Sequence, residues 1–549
     1  MRTAALALLL GSAINTCAQS PFEYADQRSS AVSYYDCAKA GSTWVVCGSS
    51  ANEGTMGSSS FAQGFNSDGS VAWMTSLTGI PYAMVASPGG GMFVAGPQFG
   101  CDVLGPTSML MNLDAQGGVT WSKDLWISSA AQLDVSADGK IVVSSYDQAL
   151  ITDQVGDSLT TLDLFGLSAA SAQVVKWDDD STLLIVYFGG TMERRSLQGQ
   201  QLASTSVAIP DPKDALNWSG HRMALEGSGV LHVLDIDLQE LNTIPLGASF
   251  NQGRIVPGDT TLWIIGQEVA VELDTSLSIL RTVVLDPDNI FDDWTFRGFA
   301  VDGDTIAMAG AAMTAQRTAG LIRTVIADGS TAIHDEDVSI TVESIDTTWY
   351  ELMSGMVYPR ANATVRVTNE GSGILENAVV NHFSFYWICE SVGRTVHLSG
   401  LNLAPGASIT AVLDSLWLNY APWGWVNTDQ QFCISVLSPN NLYDRDQSDN
   451  LACDTAHIIL GMADLPSAVP FSVVHDPLND RLEVRFRSIT TNSMSVHVVD
   501  MSGRMQTMVI IPQGTTTFSL STAHLAAGIY ALDVLNAQAG RWSVKWVRP

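Results

Sequence analysis

The sequence predicts an all-β fold in three units: an N-terminal β-propeller followed by two β-sandwiches. Three observations support this. A strand–turn unit recurs between about Ala31 and Asp337, at a spacing of roughly 43 residues, the period of propeller blades. Residues 470–549 divide into short segments of period two, as where Leu482, Val484 and Phe486 alternate with Glu483, Arg485 and Arg487. Such alternation between turn residues marks half-buried strands. Residues 338–460 lack the repeat but keep the strand pattern, as in Phe383, Phe385, Trp387 and Cys389 on alternate positions.

The first 18 residues read as a secretory leader. Arg2 precedes the apolar run Ala4–Leu10, and Thr16-Cys17-Ala18 supplies small residues for cleavage before Gln19. Ile14-Asn15-Thr16 ahead of Cys17 fits a lipoprotein site poorly. No later stretch approaches 18 uninterrupted apolar residues, so no transmembrane helix is expected. The formal net charge is −30, which repels phosphate backbones and argues against nucleic acid as a partner. An exported chain meets an oxidising compartment. Of its cysteines, Cys433–Cys453 and Cys37–Cys47 are the expected disulfides, each closing a short loop between neighbouring strands. Cys101 and Cys389 would then stay unpaired.

Residues 19–337 form the expected propeller. Its clearest units run from Trp44-Val-Val-Cys-Gly to Asp68-Gly-Ser-Val-Ala-Trp73 and from Met92-Phe-Val-Ala-Gly to Gly117-Gly-Val-Thr-Trp121. Later inner strands are expected to begin near Ile141, Leu183, Val230, Leu262 and Thr305. Hairpins follow at Gln154-Val-Gly156, Leu197-Gln-Gly199, Asp237-Leu-Gln, Asp274-Thr-Ser and Ala327-Asp-Gly329. That makes about seven units, the fifth very short, near Gly229–Leu246; six or eight remain open. Blades cannot bury both faces alone, so they stack radially, and closing the ring protects their edges. The first two units resemble secreted bacterial propellers with an aspartate-x-x-glycine-x-valine-x-tryptophan hairpin. The resemblance implies that Trp73 and Trp121 pack between blades instead of serving as ligand platforms.

Residues 338–460 carry Val365-Arg-Val-Thr-Asn369-Glu-Gly371 and Leu403-Ala-Pro405-Gly406 turns. These resemble the immunoglobulin-like spacers of bacterial surface proteins, which implies a β-sandwich. Residues 461–469 form a linker. Residues 470–549 carry Asp500-Met-Ser-Gly503-Arg504, Leu525-Ala-Ala-Gly528-Ile-Tyr530 and a final strand from Gly540 through Lys545. The stretch resembles the type A C-terminal sorting domain of the type IX secretion system; its opening, His475-Asp-Pro-Leu478, departs from the family's tyrosine-proline-asparagine-proline. The resemblance implies a small sandwich recognised by that secretion machinery at the outer membrane of a Gram-negative bacterium. Gly503, Arg504, Gly528, Tyr530 and Lys545 would carry the signal, and the mature protein would be released or held at the outer-membrane surface.

No nucleophile elbow, metalloprotease helix, P-loop or dinucleotide fingerprint is present in the sequence. Asp286, Asp288 and Asp292 on one loop, and Asp444, Asp446 and Asp449 on another, offer hard oxygen ligands of the kind calcium takes. Neither loop has the regular spacing or central glycine of a calcium loop, and carboxylates also cap turns. Apart from that possible calcium, no cofactor is expected. Trp417, Tyr420, Trp423 and Trp425 either stack on sugars or fill the sandwich core. The expected function is that of a secreted or surface protein whose non-enzymatic propeller serves adhesion or recognition of a glycan or protein. The alternative is a propeller hydrolase or lyase acting on polysaccharide, whose site residues would be spread over blade loops.

Overall fold

A computed structural model describes residues 20–548 except 27, 29–30, 52–57, 99–106, 169, 206–208, 259, 287–293, 315–316, 333, 354–355, 387–389, 418–428, 445, 458–470, 477–479, 489, 491, 501–503 and 537–539. Most of it is strand, and almost none is helix. Residues 32–77, 83–125, 132–163, 172–204, 212–245 and 254–284 each form a four-stranded antiparallel meander. A seventh sheet takes three strands from residues 294–326 and its fourth from Glu23–Ala25, with Glu23 opposite Arg323 and Ala25 opposite Leu321. The start of the chain thus closes the ring, covering an edge that would otherwise expose unpaired backbone groups.

Each inner strand has both faces buried, which is why these strands read as continuous apolar runs. Alternate residues of one strand enter different cores. Val45 and Cys47 pack against Met92 and Val94 of the second blade, whereas Val46 and Trp44 pack against Ala307 and Ile322 of the seventh. Phe93 faces the third blade and Val94 the first. The described residues hold seven such cores, one at each blade–blade boundary.

This alternation overturns the expected Cys37–Cys47 disulfide. Cys37 stands opposite Val46, not Cys47, because the turn pairs Ala40 with Thr43 and this register runs out to Cys37. The two thiols lie on opposite faces of the first blade: Cys37 Sγ points to the Ala307 carbonyl and Cys47 Sγ to that of Pro81. Both are free and buried, and burial pushes both thiols well above the ordinary range. Cys433 and Cys453 are directly opposite on adjacent strands and are joined by a disulfide. Cys101 and Cys389 lie outside the described residues.

The fifth blade is also longer than expected. It begins at Pro212–Trp218 and His221–Glu226, joined by a two-residue turn with Ser219 and Gly220 at positive φ. Val230–Leu234, expected as its inner strand, is the third in its sheet.

The next two units share one topology. Taking strands in chain order, each pairs 1-2-5 in a three-stranded sheet and 4-3-6-7 in a four-stranded one. In the first, spanning 338–457, Val365, Leu413 and Val380 share a core with Ile434 and Val436. In the second, spanning 471–548, Leu482 and Val496 pack with Leu532, Tyr530 and Trp546.

Candidate functional site

The axis of the ring encloses a cavity of about 650 Å³ lined by the first strand of each blade. Three of its carboxylates accept backbone N–H bonds from the following blade: Asp36 from Met84 at 2.9 Å, Asp134 from Trp177 at 2.8 Å and Asp214 from Ile255 at 2.9 Å. Gln132 makes the same kind of bond to Val175 at 2.8 Å. Burial raises the Asp36 and Asp134 carboxyls above the usual range, opposed by Arg254 and Lys176 respectively. Carboxylates in this position tie blade to blade, and the cations around them offset their desolvation.

A second ionic group joins the propeller to the following sandwich. Glu23 lies between Arg323 at 3.7 Å and His334 at 2.7 Å, and its Oε1 also accepts the Tyr443 backbone N–H at 3.1 Å. The Tyr443 side chain enters the core between the sixth and seventh blades, near Trp263 and Val325. Asp286 belongs here too, 3.9 Å from Arg323 Nη1. Its carboxylate therefore faces an arginine. Asp288 and Asp292 lie outside the described residues.

The other acidic loop gathers differently from its sequence. Asp444 is buried, and its Oδ2 accepts the Val338 N–H at 3.0 Å. Burial and then Asp337 push its carboxyl up to about 8. Asp337, which sequence reasoning missed, is raised to about 6 by burial and by Asp449 and Asp446. Asp446 instead caps a turn, accepting Ser448 N–H and hydroxyl bonds. Among the described residues no three His, Cys, Asp or Glu side chains form a metal-holding group.

Blade hairpins account for much of the remaining acidity. Asp114, Asp153, Asp235 and Asp274 each accept backbone N–H bonds from the residues two and four positions on. Asp500 accepts the Arg504 N–H in the same way in the last unit. There, Leu525 and Tyr530 are buried, the Tyr530 hydroxyl donates to Ala526 O at 2.7 Å, and its ring lies 5.4 Å from that of Trp546. Gly528 begins the strand Gly528–Asn536, and Lys545 is exposed on the final strand opposite Ala531. Gly503, Trp423 and Trp425 lie outside the described residues, as does the Trp417 side chain.

Residues 476–547 match the family model described as a secretion system C-terminal sorting domain. No curated protein matches the chain. Similar solved structures include the WD40 β-propeller domain of Doa1, at 11% identity over 56% of this chain and 96% of that chain, with a TM-score of 0.41. BamB from Moraxella catarrhalis matches at 12% identity over 53% and 84%, TM-score 0.34. A protein of unknown function from Bacteroides caccae matches at 12% over 43% and 92%, TM-score 0.31.

Proposed function

We propose that this chain, which ends in a type IX secretion sorting domain and is therefore bound for secretion or the cell surface, presents its propeller there as a recognition module. On this reading residues 19–337 are the delivered module, 338–460 an immunoglobulin-like spacer, 461–469 a linker and 470–549 the address read at a Gram-negative outer membrane. The match of residues 476–547 to the sorting-domain model carries the reading. The strand order of the spacer supports its part, since immunoglobulin-type sandwiches also set strands 1, 2 and 5 against 3, 6 and 7. Use of the channel carboxylates as ties between blades favours recognition at the loops over chemistry on the axis.

Surface labelling of cells expressing the full chain tests the address, and a glycan array paired with a hydrolysis screen tests the module. Surface exposure with binding but no turnover is expected. Sugar release would replace recognition with the polysaccharide-cleaving alternative.

A further inference from the structure

Antiparallel strands reverse the chain, so loops between the second and third strands of a blade emerge at the same end of the ring as loops between blades. At that end four large aromatic side chains stand in solvent on the third and fourth blades and their connections. They are Trp126, 86% exposed, Tyr146, 56%, Phe165, 54%, and Phe188, 76%. Their loops are bonded to one another. The Asp147 carboxylate accepts from the Ser128 and Ser145 hydroxyls, and its carbonyl accepts from Leu164 N at 2.7 Å. Ala172 N donates to Tyr146 O and Phe188 N to Ser171 O, both at 2.7 Å. Tyr443 of the spacer enters the core between the sixth and seventh blades, away from the third and fourth, and these rings stay exposed in the folded chain.

We infer that this patch is a binding surface for an uncharged glycan chain. This rests on the recognition reading above and names its ligand class. Loop residues 126–131, 145–147, 164–171 and 188–191 contain no lysine or arginine, and the chain carries −30, so acidic polysaccharides and nucleic acids are disfavoured. The described residues beside the rings are chiefly glycine, alanine and serine, as in Phe188-Gly-Gly-Thr191 and at Ser168, Ala170 and Ser171. The four aromatic side chains stand exposed among small and hydroxyl-bearing residues. Sugar rings present apolar C–H faces edged with hydroxyls, which suits such exposed aromatic side chains beside Ser129, Ser171 and Thr191.

The test is affinity electrophoresis of the full chain through gels containing laminarin, mannan or galactomannan, with alginate as the acidic comparison. Retardation by at least one neutral polymer and none by alginate is expected. Trp126→Ala and Phe188→Ala should each weaken it about tenfold, with unchanged circular dichroism and thermal midpoint. No retardation by any neutral polymer, or retardation equal in the Trp126→Ala/Phe188→Ala double variant, overturns the inference. Whole-cell attachment separates the two readings: attachment undiminished in the double variant leaves recognition standing and removes this patch from it.

Discussion

The Trp73 indole of the first blade lies on Gly117 in the hairpin of the second, where a Cβ would overlap the ring. The contact repeats around the ring. Trp121 covers Gly156 of the third blade, with 2.7 Å left for a Cβ, and Phe22 covers Gly69 of the first at 2.8 Å. Gly117 has φ +80°, and the Thr75 hydroxyl donates to its carbonyl at 2.6 Å. The residue thus supplies a left-handed turn and room for the neighbouring blade's ring at once.

Gly117→Ala should therefore destabilise the propeller twice over. The left-handed conformation costs about 1–2 kcal/mol for a residue with a Cβ, and displacing the indole adds about 1–3 kcal/mol. Gly329→Ala isolates the first contribution, since Gly329 has φ +89° with nothing within 4 Å of its Cβ position. Urea unfolding of the two variants should place Gly117→Ala clearly below Gly329→Ala. Equal losses would mean that the indole moves aside without cost.

The Cys433–Cys453 disulfide closes a 20-residue separation, for which loop-closure entropy gives about 3 kcal/mol. A Cys433→Ala/Cys453→Ala variant should lose about that much stability, and mass mapping without reductant should find this pair linked. Cys37 and Cys47 should remain as thiols that alkylate only after unfolding, because each is buried on its own side of the blade. Rapid alkylation of either in the native protein would contradict their burial.

Asp337 and Asp444 predict a pH dependence. Their folded values, about 6 and about 8, lie above the unfolded value of 3.8, so the native state holds more protons between these limits. Stability from this pair is fully present below 3.8 and is lost as pH rises through 6 and then 8. Asp36 and Asp134, also raised, act in the same direction. The urea midpoint should be higher at pH 5 than at pH 9. Asp444→Asn should flatten that difference while keeping an acceptor for Val338 N–H. An unchanged slope in the variant would assign the dependence to other groups.

Tyr443 should fasten the propeller to the spacer. It is 2% exposed in a core otherwise built by the sixth and seventh blades and the closing strand. Truncating a buried aromatic costs about 3–5 kcal/mol, so Tyr443→Ala should lower the thermal midpoint of the propeller and make the segment near residue 334 sensitive to protease. Scattering profiles should broaden as the two units separate. A variant as compact and protease-resistant as the parent would leave the junction to Glu23, which binds His334 and the backbone N–H of residue 443.

What could be read from the sequence was local. Hairpins such as Asp114–Gly117 combine an aspartate with a left-handed glycine inside four residues, and inner strands such as Met92–Gln98 declare two buried faces by their continuous apolar run. The closing strand Glu23–Ala25 had no such signature, because its partner lies some three hundred residues away. Asp337, next to Val338, joins Asp444 across more than a hundred positions, and Tyr443 meets Glu23 across 420. The fifth blade was legible in principle: Ser219-Gly220 between Trp218 and His221 is a two-residue hairpin signal, obscured by the polar Asn217 and His221 beside it. The Cys37–Cys47 error was one of register: the turn that pairs Ala40 with Thr43 sets Cys37 opposite Val46, which puts the two thiols on opposite faces.

The sorting motif separates residues that the fold needs from those it does not. Leu525, Tyr530 and Trp546 fill the core of the last unit, so deleting Leu525–Pro549 removes two strands and unfolds it. Periplasmic retention of that truncation is expected, but loss of folding alone would produce it. Gly528 is more discriminating. Its φ lies outside the left-handed region, and the nearest atom to an added Cβ is Tyr530 Cε2 at 3.8 Å, an ordinary contact. Gly528→Ala should therefore shift the stability of the unit by less than about 1 kcal/mol. If the glycine is read by the secretion machinery, the same variant should accumulate in the periplasm while purifying as a folded protein. Normal surface display would instead show that the machinery reads the fold around Tyr530 and leaves Gly528 out.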